Sequence, residues 1–287
     1  MTQAEGQEGD MPTARELLMF DEVEPDCFRA RHTLDNMMGA TFGGQLLGQA
    51  LAAAQATVDG WSANSLNGYF FRGGKVDAPL DYCVERISDC RRFASRRVTA
   101  MQHGRAIFGA QCSFHDAEDG AAHQVEAPAD RPDPDSLPSL RQFAEANPDR
   151  LSIGMRNSLL RDFPIELRPL RPGSFLDEAQ RDFWVRIPSA AGVEGDGAHQ
   201  ALLALLSDYW LPGAIATRHN RDDARYSVLS LNHSLWFHRP SRADQWLLYT
   251  TQSDWAGQGR GLARGLIFDR DGALVATAMQ EALLRAI

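Results

Sequence analysis

The sequence predicts an α+β fold in which one module, an antiparallel sheet curled round a central helix, occurs twice in the chain. Sliding the chain against itself by 168 positions aligns Arg92 with Arg260 and Gly104 with Gly272. A second stretch, at an offset of 167, aligns Leu80 with Leu247, and both halves contain a helix rich in small residues followed by four strand-like runs. Matches in the same order at almost one offset indicate an internal duplication.

The first module is predicted to span residues 12–115. Its clearest element is the helix Phe42 to Val58, because Gly43 and Gly44 precede a run of Leu and Ala that is apolar over much of its circumference. Such a helix suits a close wrapping by other elements. A short helix at Thr13 to Phe20 and a strand at Glu24 to Arg31 precede it, and four strands follow at Ser65 to Arg72, Pro79 to Ile87, Phe93 to Gln102 and Arg105 to His115.

The second module is predicted to span residues 164–287 and to repeat this plan. Its central helix is expected at about Ala198 to Trp210. Strands are expected at Pro164 to Pro169, Asp182 to Ile187, Tyr226 to Phe237, Gln245 to Trp255, Gln258 to Phe268 and Ala273 to Leu284. Residues 116–163 are predicted to link the modules. The part rich in Asp, Ala and Pro, Asp116 to Pro138, is expected to be exposed, and two short helices are expected at Leu140 to Phe143 and Leu151 to Phe163.

Composition limits the class of protein. With 44% hydrophobic and 23% charged residues, the 287-residue chain can bury two ordinary cores. A formal net charge of −9 opposes nucleic-acid binding. Nowhere do 18 apolar residues follow one another, so no membrane insertion is expected. The first ten residues are polar and indicate a frayed terminus, and the four cysteines are interpreted as reduced, mostly buried thiols, which together predict a cytoplasmic protein.

Four sequence motifs, in order along the chain, carry a family resemblance. They are Phe42-Gly-Gly-Gln-Leu-Leu-Gly-Gln-Ala-Leu51, Phe93-Ala-Ser-Arg-Arg-Val98, Asn232-His-Ser-Leu-Trp-Phe-His-Arg-Pro240 and Val275-Ala-Thr-Ala-Met-Gln-Glu281. From about Leu17 to Arg285 the chain resembles the acyl-CoA thioesterase II family. The resemblance implies a double hotdog fold, two helix-wrapped sheets in one chain, and the hydrolysis of acyl-CoA to free fatty acid and coenzyme A.

The resemblance also implies a catalytic group in the second module. An Asp on the central helix, a Ser or Thr entering the next strand and a Gln near the C-terminus fall on Asp208, Ser230 and Gln280. The first module has no acid on its central helix, and the 168-residue offset places Cys112 where the second module has Gln280. The equivalent site of the first module is therefore expected to be inert.

These residue types suit the hydrolysis of a thioester, which needs an aligned water, an acceptor for its proton and donors for the developing oxyanion. Asp208 would accept the proton, while Ser230 and Gln280 would hold the water. The apolar neighbours of Asp208 in Leu-Leu-Ser-Asp-Tyr-Trp-Leu are expected to raise its pKa. Direct attack by the carboxylate to form a mixed anhydride is an alternative within the same site.

The residues Gly43, Gly44 and Gln45 are candidates for binding the substrate and its oxyanion. Backbone N–H groups at a helix N-terminus can donate to an anion, and glycines allow a substrate to approach the backbone. Close helix packing explains the same glycines equally well. If the first helix does supply donors, the active site must lie between the modules, and the duplication would be required for function.

Three positions depart from the family pattern. Asn64 and Asn67 stand where many members have His, and Asn232 replaces the usual Asp. These changes are expected to alter substrate preference or lower activity if the positions contact coenzyme A. A Ser-His dyad of Ser234 with His233 is not expected, because adjacent strand residues point to opposite faces.

Two other functions are considered. A hotdog hydratase acting on enoyl-CoA would need an Asp and a His together near the central helix, whereas His199 lies nine residues before Asp208. A noncatalytic acyl-CoA or lipid-binding protein would keep the fold and lose turnover. Retention of a carboxylate, a hydroxyl and a carboxamide in one module argues against that interpretation.

No cofactor and no metal site are predicted, because the chain has no zinc-ligand spacing and no phosphate-binding glycine fingerprint. The predicted partner is the acyl-CoA substrate, and the family resemblance implies a homo-oligomer. The phosphates of coenzyme A would be bound by arginines. Candidates are Arg92, Arg96, Arg97 and Arg260.

Overall fold

The computed structural model describes residues 11–36, 39–178, 180–219 and 226–286. The first ten residues, predicted to be frayed, lie outside this part. Its helices are α1 (Ala14–Leu17), α2 (Gly43–Gln55), α3 (Leu140–Ala146), α4 (Ile153–Leu160), α5 (Asp196–Ser207) and α6 (Gly213–Thr217). Its strands are β1 (Phe20–Glu24), β2 (Cys27–Ala30), β3 (Ser62–Phe70), β4 (Asp81–Asp89), β5 (Phe93–Gln102), β6 (Arg105–His115), β7 (Glu166–Pro169), β8 (Arg181–Arg186), β9 (Tyr226–Phe237), β10 (Leu247–Gly257), β11 (Arg260–Phe268) and β12 (Leu274–Ala286).

The strands form one antiparallel 12-stranded sheet with the order β1-β2-β4-β5-β6-β3-β9-β12-β11-β10-β8-β7. The order reads the same from both ends once each strand of the first module is matched to its counterpart in the second. This symmetry agrees with the predicted duplication and confirms the α+β class. The two predicted sheets are joined edge to edge into one, because β3 and β9 pair directly, with Leu66 opposite Leu235. Both are fully buried, so the two modules share one core at this seam.

The two central helices pack against each other in antiparallel directions. The N-terminal half of α2 contacts the C-terminal half of α5: a Cβ atom on Gly44 would lie 2.2 Å from the carbonyl oxygen of Leu205, and one on Gly48 would lie 2.7 Å from that of Ala201. Neither distance is possible for a real side chain. The small residues of α2 are therefore explained by contact with the other helix, which brings the start of α2 to the end of α5.

The hairpins that follow the helices show the duplication in the backbone. Gly104 links β5 to β6 with φ +70°, and Gly272, its partner at the 168-residue offset, precedes β12 with φ +92°. Both values lie in the left-handed region that favours glycine. One predicted boundary is wrong: the strand expected at Glu24 to Arg31 is a hairpin of β1 and β2, with Asp26 at φ +58° in its turn.

The connection between the modules is largely exposed over 116–126, as its composition predicts, and it is then tied to the second module. The side-chain amide of Gln124 donates to the carbonyl of Gly272 (3.0 Å), and the indole N–H of Trp184 donates to the carbonyl of Pro132 (2.9 Å). The segment therefore runs over the surface of the second module and is held there by hydrogen bonds. The helices α3 and α4 follow it, close to their predicted positions.

The prediction of four reduced cysteines is wrong for two of them. Cys27 and Cys83 stand opposite each other in the register of β2 with β4, with Cα atoms 4.0 Å apart, and form a disulfide. Their separation of 56 residues in the sequence conceals this proximity. Cys90 is a free, exposed thiol, and Cys112 is free and buried, with its pKa raised to about 12 by that burial. The cysteines therefore give no support to a reducing compartment.

Candidate active site

Asp208 is the residue at which the second central helix ends. It caps the C-terminus of α5 in a helical conformation, and only 7% of the residue is exposed. From Ala201 to Leu206 the helix consists of buried Ala and Leu, so the packing of α5 against α2 and the sheet fixes the position of the carboxyl group. Asp208 therefore lies in the core, at the junction of the two modules.

Gln280 connects the three predicted catalytic residues. Its side-chain Nε2 donates to Oδ1 of Asp208 (2.7 Å) and to Oγ of Ser230 (2.8 Å). The two strands that carry Gln280 and Ser230, β12 and β9, are neighbours in the sheet with a register shift beside this point. The fold therefore unites residues that are 72 and 50 positions apart. Gln280 itself is fully buried behind the other two.

Burial raises the pKa of the Asp208 carboxyl from its ordinary value to about 6. Removal from water disfavours the charged form, and hydrogen bonds from the Gln280 amide and the Gly44 backbone N–H offset only part of that cost. The direction agrees with the one its apolar sequence neighbours predict. A carboxylate with this pKa is a stronger base than an exposed one and is still mostly ionised at neutral pH.

The N-terminus of α2 meets this carboxylate from the first module. The backbone N–H of Gly44 donates to Asp208, and a Cβ atom on Gly43 would lie 2.8 Å from its Oδ2. Gln45, the third candidate here, is placed differently: its side-chain amide donates to the carbonyl of His32 (2.9 Å) and to Gln49 (2.8 Å), away from Asp208. The side chain of Gln45 therefore has a structural role.

A cavity of about 570 Å³ opens at this junction. Asp208, Ser230 and Gly43 all line it, and most of its wall is apolar. The wall takes residues from the first module, the linker helix α4 and its following loop, and the second module, among them Phe42, Leu46, Phe70, Met155, Phe163, Tyr209, Trp210, Val228 and Leu283. The candidate site therefore lies between the modules, which is the position that donors from the first helix would require.

His233 is a residue at the site that sequence reasoning missed. It is fully buried, stands opposite Gln280 in the β9–β12 register, and its Nδ1 lies 3.9 Å from Oδ1 of Asp208. Its Nε2 is 2.9 Å from the hydroxyl of Ser207, which lies on α5. Burial lowers the pKa of His233 to about 4, which leaves the ring neutral. The alternation of buried and exposed side chains along β9 could have indicated that His233 is buried. The same alternation places His233 and Ser234 on opposite faces of the strand, as predicted.

The three asparagines that depart from the family pattern lie on the strands beside the seam, and none is among the described residues that line the cavity. Asn64 and Asn67 belong to β3. Asn232 accepts a hydrogen bond from the backbone N–H of Glu281 through its Oδ1 (3.2 Å), next to Gln280. Its contact is therefore with the strand that carries Gln280.

The arginines proposed for coenzyme A are occupied by partners within the chain. Arg96 is buried and bonds Thr57 and Asp89, and the others pair with Glu118, Glu85 and Glu281. By contrast, Arg72 is exposed, lines the cavity, and makes no ion pair within the described part of the chain. Arg72 is a cation at the cavity that the sequence had not singled out.

The corresponding position in the first module lacks the chemical groups of the second. The residue that caps the end of α2 is Ala56, and Cys112 occupies the strand β6, the counterpart of β12. Neither is a carboxylate or an amide. This composition supports the expectation that the first module has no working site of its own.

The comparisons with known proteins agree with this architecture. A sequence profile described as the acyl-CoA thioesterase N-terminal domain matches residues 33–115, and one described as the C-terminal domain matches residues 122–284. Mouse acyl-coenzyme A thioesterase 8 is 35% identical over 283 residues, which cover 94% of this chain and 88% of that protein. Acyl-CoA thioesterase 2 of Haemophilus influenzae is 31% identical, with 94% and 96% covered.

Among solved structures, the acyl-CoA thioesterase II TesB2 of Mycobacterium marinum is similar with a TM-score of 0.77 and 35% identity, covering 96% of this chain and 98% of that one. The dehydratase domain of PpsC from Mycobacterium tuberculosis shares the fold alone, with a TM-score of 0.54 and 15% identity over 96% of this chain and 100% of that one. The fold and the site define a double hotdog protein of the thioester hydrolase class. The chain belongs to the acyl-CoA thioesterase II family.

The structure also bears on the hydratase alternative. His199 is buried in a structural role, because its Nε2 bonds the carbonyl of Val193 (3.0 Å) and its Nδ1 accepts from the N–H of Ala243 (3.2 Å). The other nearby histidine, His233, approaches Asp208 from behind and is not among the described residues that line the cavity. No Asp-His pair therefore faces the cavity in the described residues, which argues against a hydratase.

Proposed function

We propose that the chain hydrolyses acyl-CoA to free fatty acid and coenzyme A, with Asp208 as general base. The observation that carries the proposal is the hydrogen-bonded group of Asp208, Gln280 and Ser230 at the wall of an apolar cavity between the modules. A buried carboxylate with a raised pKa, joined to a hydroxyl and an amide, is suited to activating a water molecule. Family membership supports the same reaction.

In the proposed mechanism, a water held by Asp208 and Ser230 attacks the thioester carbonyl carbon while Asp208 accepts its proton. Gln280 lies behind this pair, fully buried and not among the described residues that line the cavity, and its amide N–H groups hold Asp208 and Ser230 in place. The tetrahedral intermediate then expels the coenzyme A thiolate, which takes up a proton. Carboxylic acid and coenzyme A leave as products.

Gly43 is proposed to assist by stabilising the oxyanion. It lines the cavity in the first turn of the 13-residue helix α2, where N–H groups have no acceptor within the helix. The neighbouring N–H of Gly44 instead binds Asp208 and fixes the carboxylate against the helix terminus. In this arrangement the first module contributes an oxyanion donor and the second contributes the base, which explains why the function needs both.

The direct test is release of free thiol from a panel of acyl-CoAs, with Asp208→Asn as the control variant. Removal of a general base is expected to lower kcat by about 10²–10⁴-fold. Thiol release that the variant retains in full would remove Asp208 from the mechanism. Binding of acyl-CoA by the wild type with no thiol release would favour the noncatalytic alternative.

The mixed-anhydride route is separable from water activation by mass spectrometry of enzyme quenched in acid during turnover. Direct attack by Asp208 would leave the enzyme heavier by one acyl group on the peptide that contains this residue. We expect no such adduct, because a pKa of about 6 suits Asp208 to accept a proton near neutral pH.

The finer predictions of a homo-oligomer and of a cytoplasmic location are proposed here on the family resemblance and the sequence. Light scattering on the purified protein and fractionation of cells that express it are the measurements that test them. None of the described helices has the length and apolar character needed to cross a membrane.

A further inference from the structure

A second cavity lies beside the reaction cavity. Its volume is about 480 Å³. The buried residues of its lining, among them Leu140, Leu159, Ile165 and Leu167, are apolar, and charged residues that include Arg141, Asp162 and Glu166 line it as well. Three residues line both cavities, namely Ser158, Phe163 and Tyr209. A residue that contacts two neighbouring cavities stands between them, so these three side chains form the partition.

The partition is mostly aromatic and begins next to the reacting groups. The ring of Phe163 stacks on that of Tyr209, with centroids 5.2 Å apart and an angle of 15° between the planes. Both rings meet Phe42 edge-on, at 5.3 and 6.5 Å. Tyr209 follows Asp208 in the chain, and Phe42 precedes Gly43. The second cavity therefore lies directly behind the wall nearest to the proposed reaction.

Phe163 differs from its two neighbours in its backbone setting. Phe42 and Tyr209 flank the ends of the central helices α2 and α5, whose positions the core determines. Phe163 lies in the irregular segment between α4 and β7, away from the ends of the central helices, and is half-buried, as Tyr209 is. A side chain in such a segment moves at lower free-energy cost than one on a packed helix. Phe163 is therefore the part of the partition that can open.

The two ends of an acyl-CoA molecule need different surroundings. The nucleotide of coenzyme A is charged and suits the mouth of the reaction cavity, where Arg72 is exposed. The acyl chain extends from the other side of the carbonyl carbon and suits the apolar wall. A chain that outgrows the reaction cavity meets Phe42, Phe163 and Tyr209.

We propose that the second cavity receives the distal end of long acyl chains, and that Phe163 determines the chain length at which it is entered. The inference rests on the proposed thioesterase function and adds a substrate-binding subsite and a specificity-determining residue to it. While Phe163 stacks on Tyr209, the reaction cavity holds the whole chain. Rotation of Phe163 away from this stack joins the two cavities into one acyl tunnel.

The test is a series of saturated straight-chain acyl-CoAs that lengthens by two carbons at a step, assayed by thiol release. Complete burial of two further CH₂ groups raises affinity by up to roughly fifteen-fold. For the wild type, kcat/KM is expected to rise with length and then stop rising where the chain meets Phe163. For Phe163→Ala the rise is expected to continue to longer chains, and each protein is scored by the chain length at which its own kcat/KM stops rising.

Two further variants show whether the second cavity is the space used. Leu159 lines that cavity and not the reaction cavity, so Leu159→Trp in the Phe163→Ala background is expected to restore the wild-type chain-length limit. Phe143→Ala is the matched control, because Phe143 is a buried aromatic on α3 that lines neither cavity. It is expected to keep the wild-type profile.

The outcomes separate this inference from the proposed function. A Phe163→Ala enzyme that hydrolyses short chains with an unchanged length limit overturns the inference and leaves the function intact. An extended limit that Leu159→Trp does not reverse also overturns it, because the chain then leaves by another route. Absence of thiol release from every acyl-CoA by the wild type refutes the proposed function itself. Should Phe163→Ala fail to fold, Leu159→Trp alone provides the test, because it is expected to lower kcat/KM only for the longest chains that the wild type accepts.

Discussion

Replacing Asp208 by Asn is expected to remove activity and to change the pH dependence of stability. The carboxyl group is buried at the junction of the modules, and its pKa is raised from 3.8 to about 6 by that burial. Between these two pH values the native protein holds a proton on Asp208 that the unfolded chain has already released. The native state binds more protons in this window, so wild-type stability falls as pH rises through it.

The size of this effect follows from the two pKa values. One pKa unit corresponds to about 1.36 kcal/mol, so the span from 3.8 to about 6 corresponds to about 3 kcal/mol of stability, as an order of magnitude. This stability is present below the unfolded pKa and is lost once the pH exceeds the native pKa. The carboxamide of the Asp208→Asn variant does not titrate. The free energy of unfolding of this variant relative to the wild type should therefore increase by about 2.5 kcal/mol from roughly pH 4 to pH 7.5.

Urea unfolding, followed by circular dichroism at several pH values, measures this difference. The comparison between two proteins cancels the titration of all other groups that the mutation does not touch. Ser230→Ala is the matched control, because it alters the same site and retains the carboxylate, so its stability should keep a pH dependence close to that of the wild type. A difference between Asp208→Asn and the wild type that stays constant over the range would show that the native pKa of Asp208 is not raised.

The remaining predictions concern the same site. The kcat/KM for thiol release should fall as pH decreases through about 6, because the base Asp208 must be ionised. His233→Ala should lower the stability of the protein and leave this decrease in kcat/KM at acidic pH unchanged. If the decrease disappears in His233→Ala, His233 is the base. Ser230→Ala should lower kcat roughly ten- to hundred-fold, because one N–H of the Gln280 amide loses its acceptor while the other still donates to Asp208. Ser230→Thr should stay close to the wild type, and equal rates for all three proteins would exclude a role for the hydroxyl. Gly44→Ala should lower the free energy of unfolding, measured in urea, by about 1–3 kcal/mol and lower activity, because its Cβ would clash with the carbonyl of Leu205. Gly192→Ala is the control and should be neutral, because the space around Gly192 is open. Equal effects of the two substitutions would contradict the packing argument.

The sequence by itself determined the plan of each module. Helix and strand patterns depend on residues close together in the chain, so α2, β5 and β6 begin within a residue or two of their predicted positions. The internal offset revealed the duplication for the same reason. Asp208, Ser230 and Gln280 became candidates through the family resemblance, and periodicity would not have selected them.

Only the tertiary structure decided how the modules meet. Pairing of β3 with β9, the disulfide between Cys27 and Cys83, and the approach of His233 to Asp208 all join residues that are far apart in sequence. The same holds for Gly44, whose N–H reaches Asp208 only because α2 and α5 pack in antiparallel directions. Such contacts depend on the side-chain shapes of both surfaces at once, and a local pattern carries information about only one of them. The cavity that binds the substrate in our proposal is formed at this meeting, so its shape could be read from neither half alone.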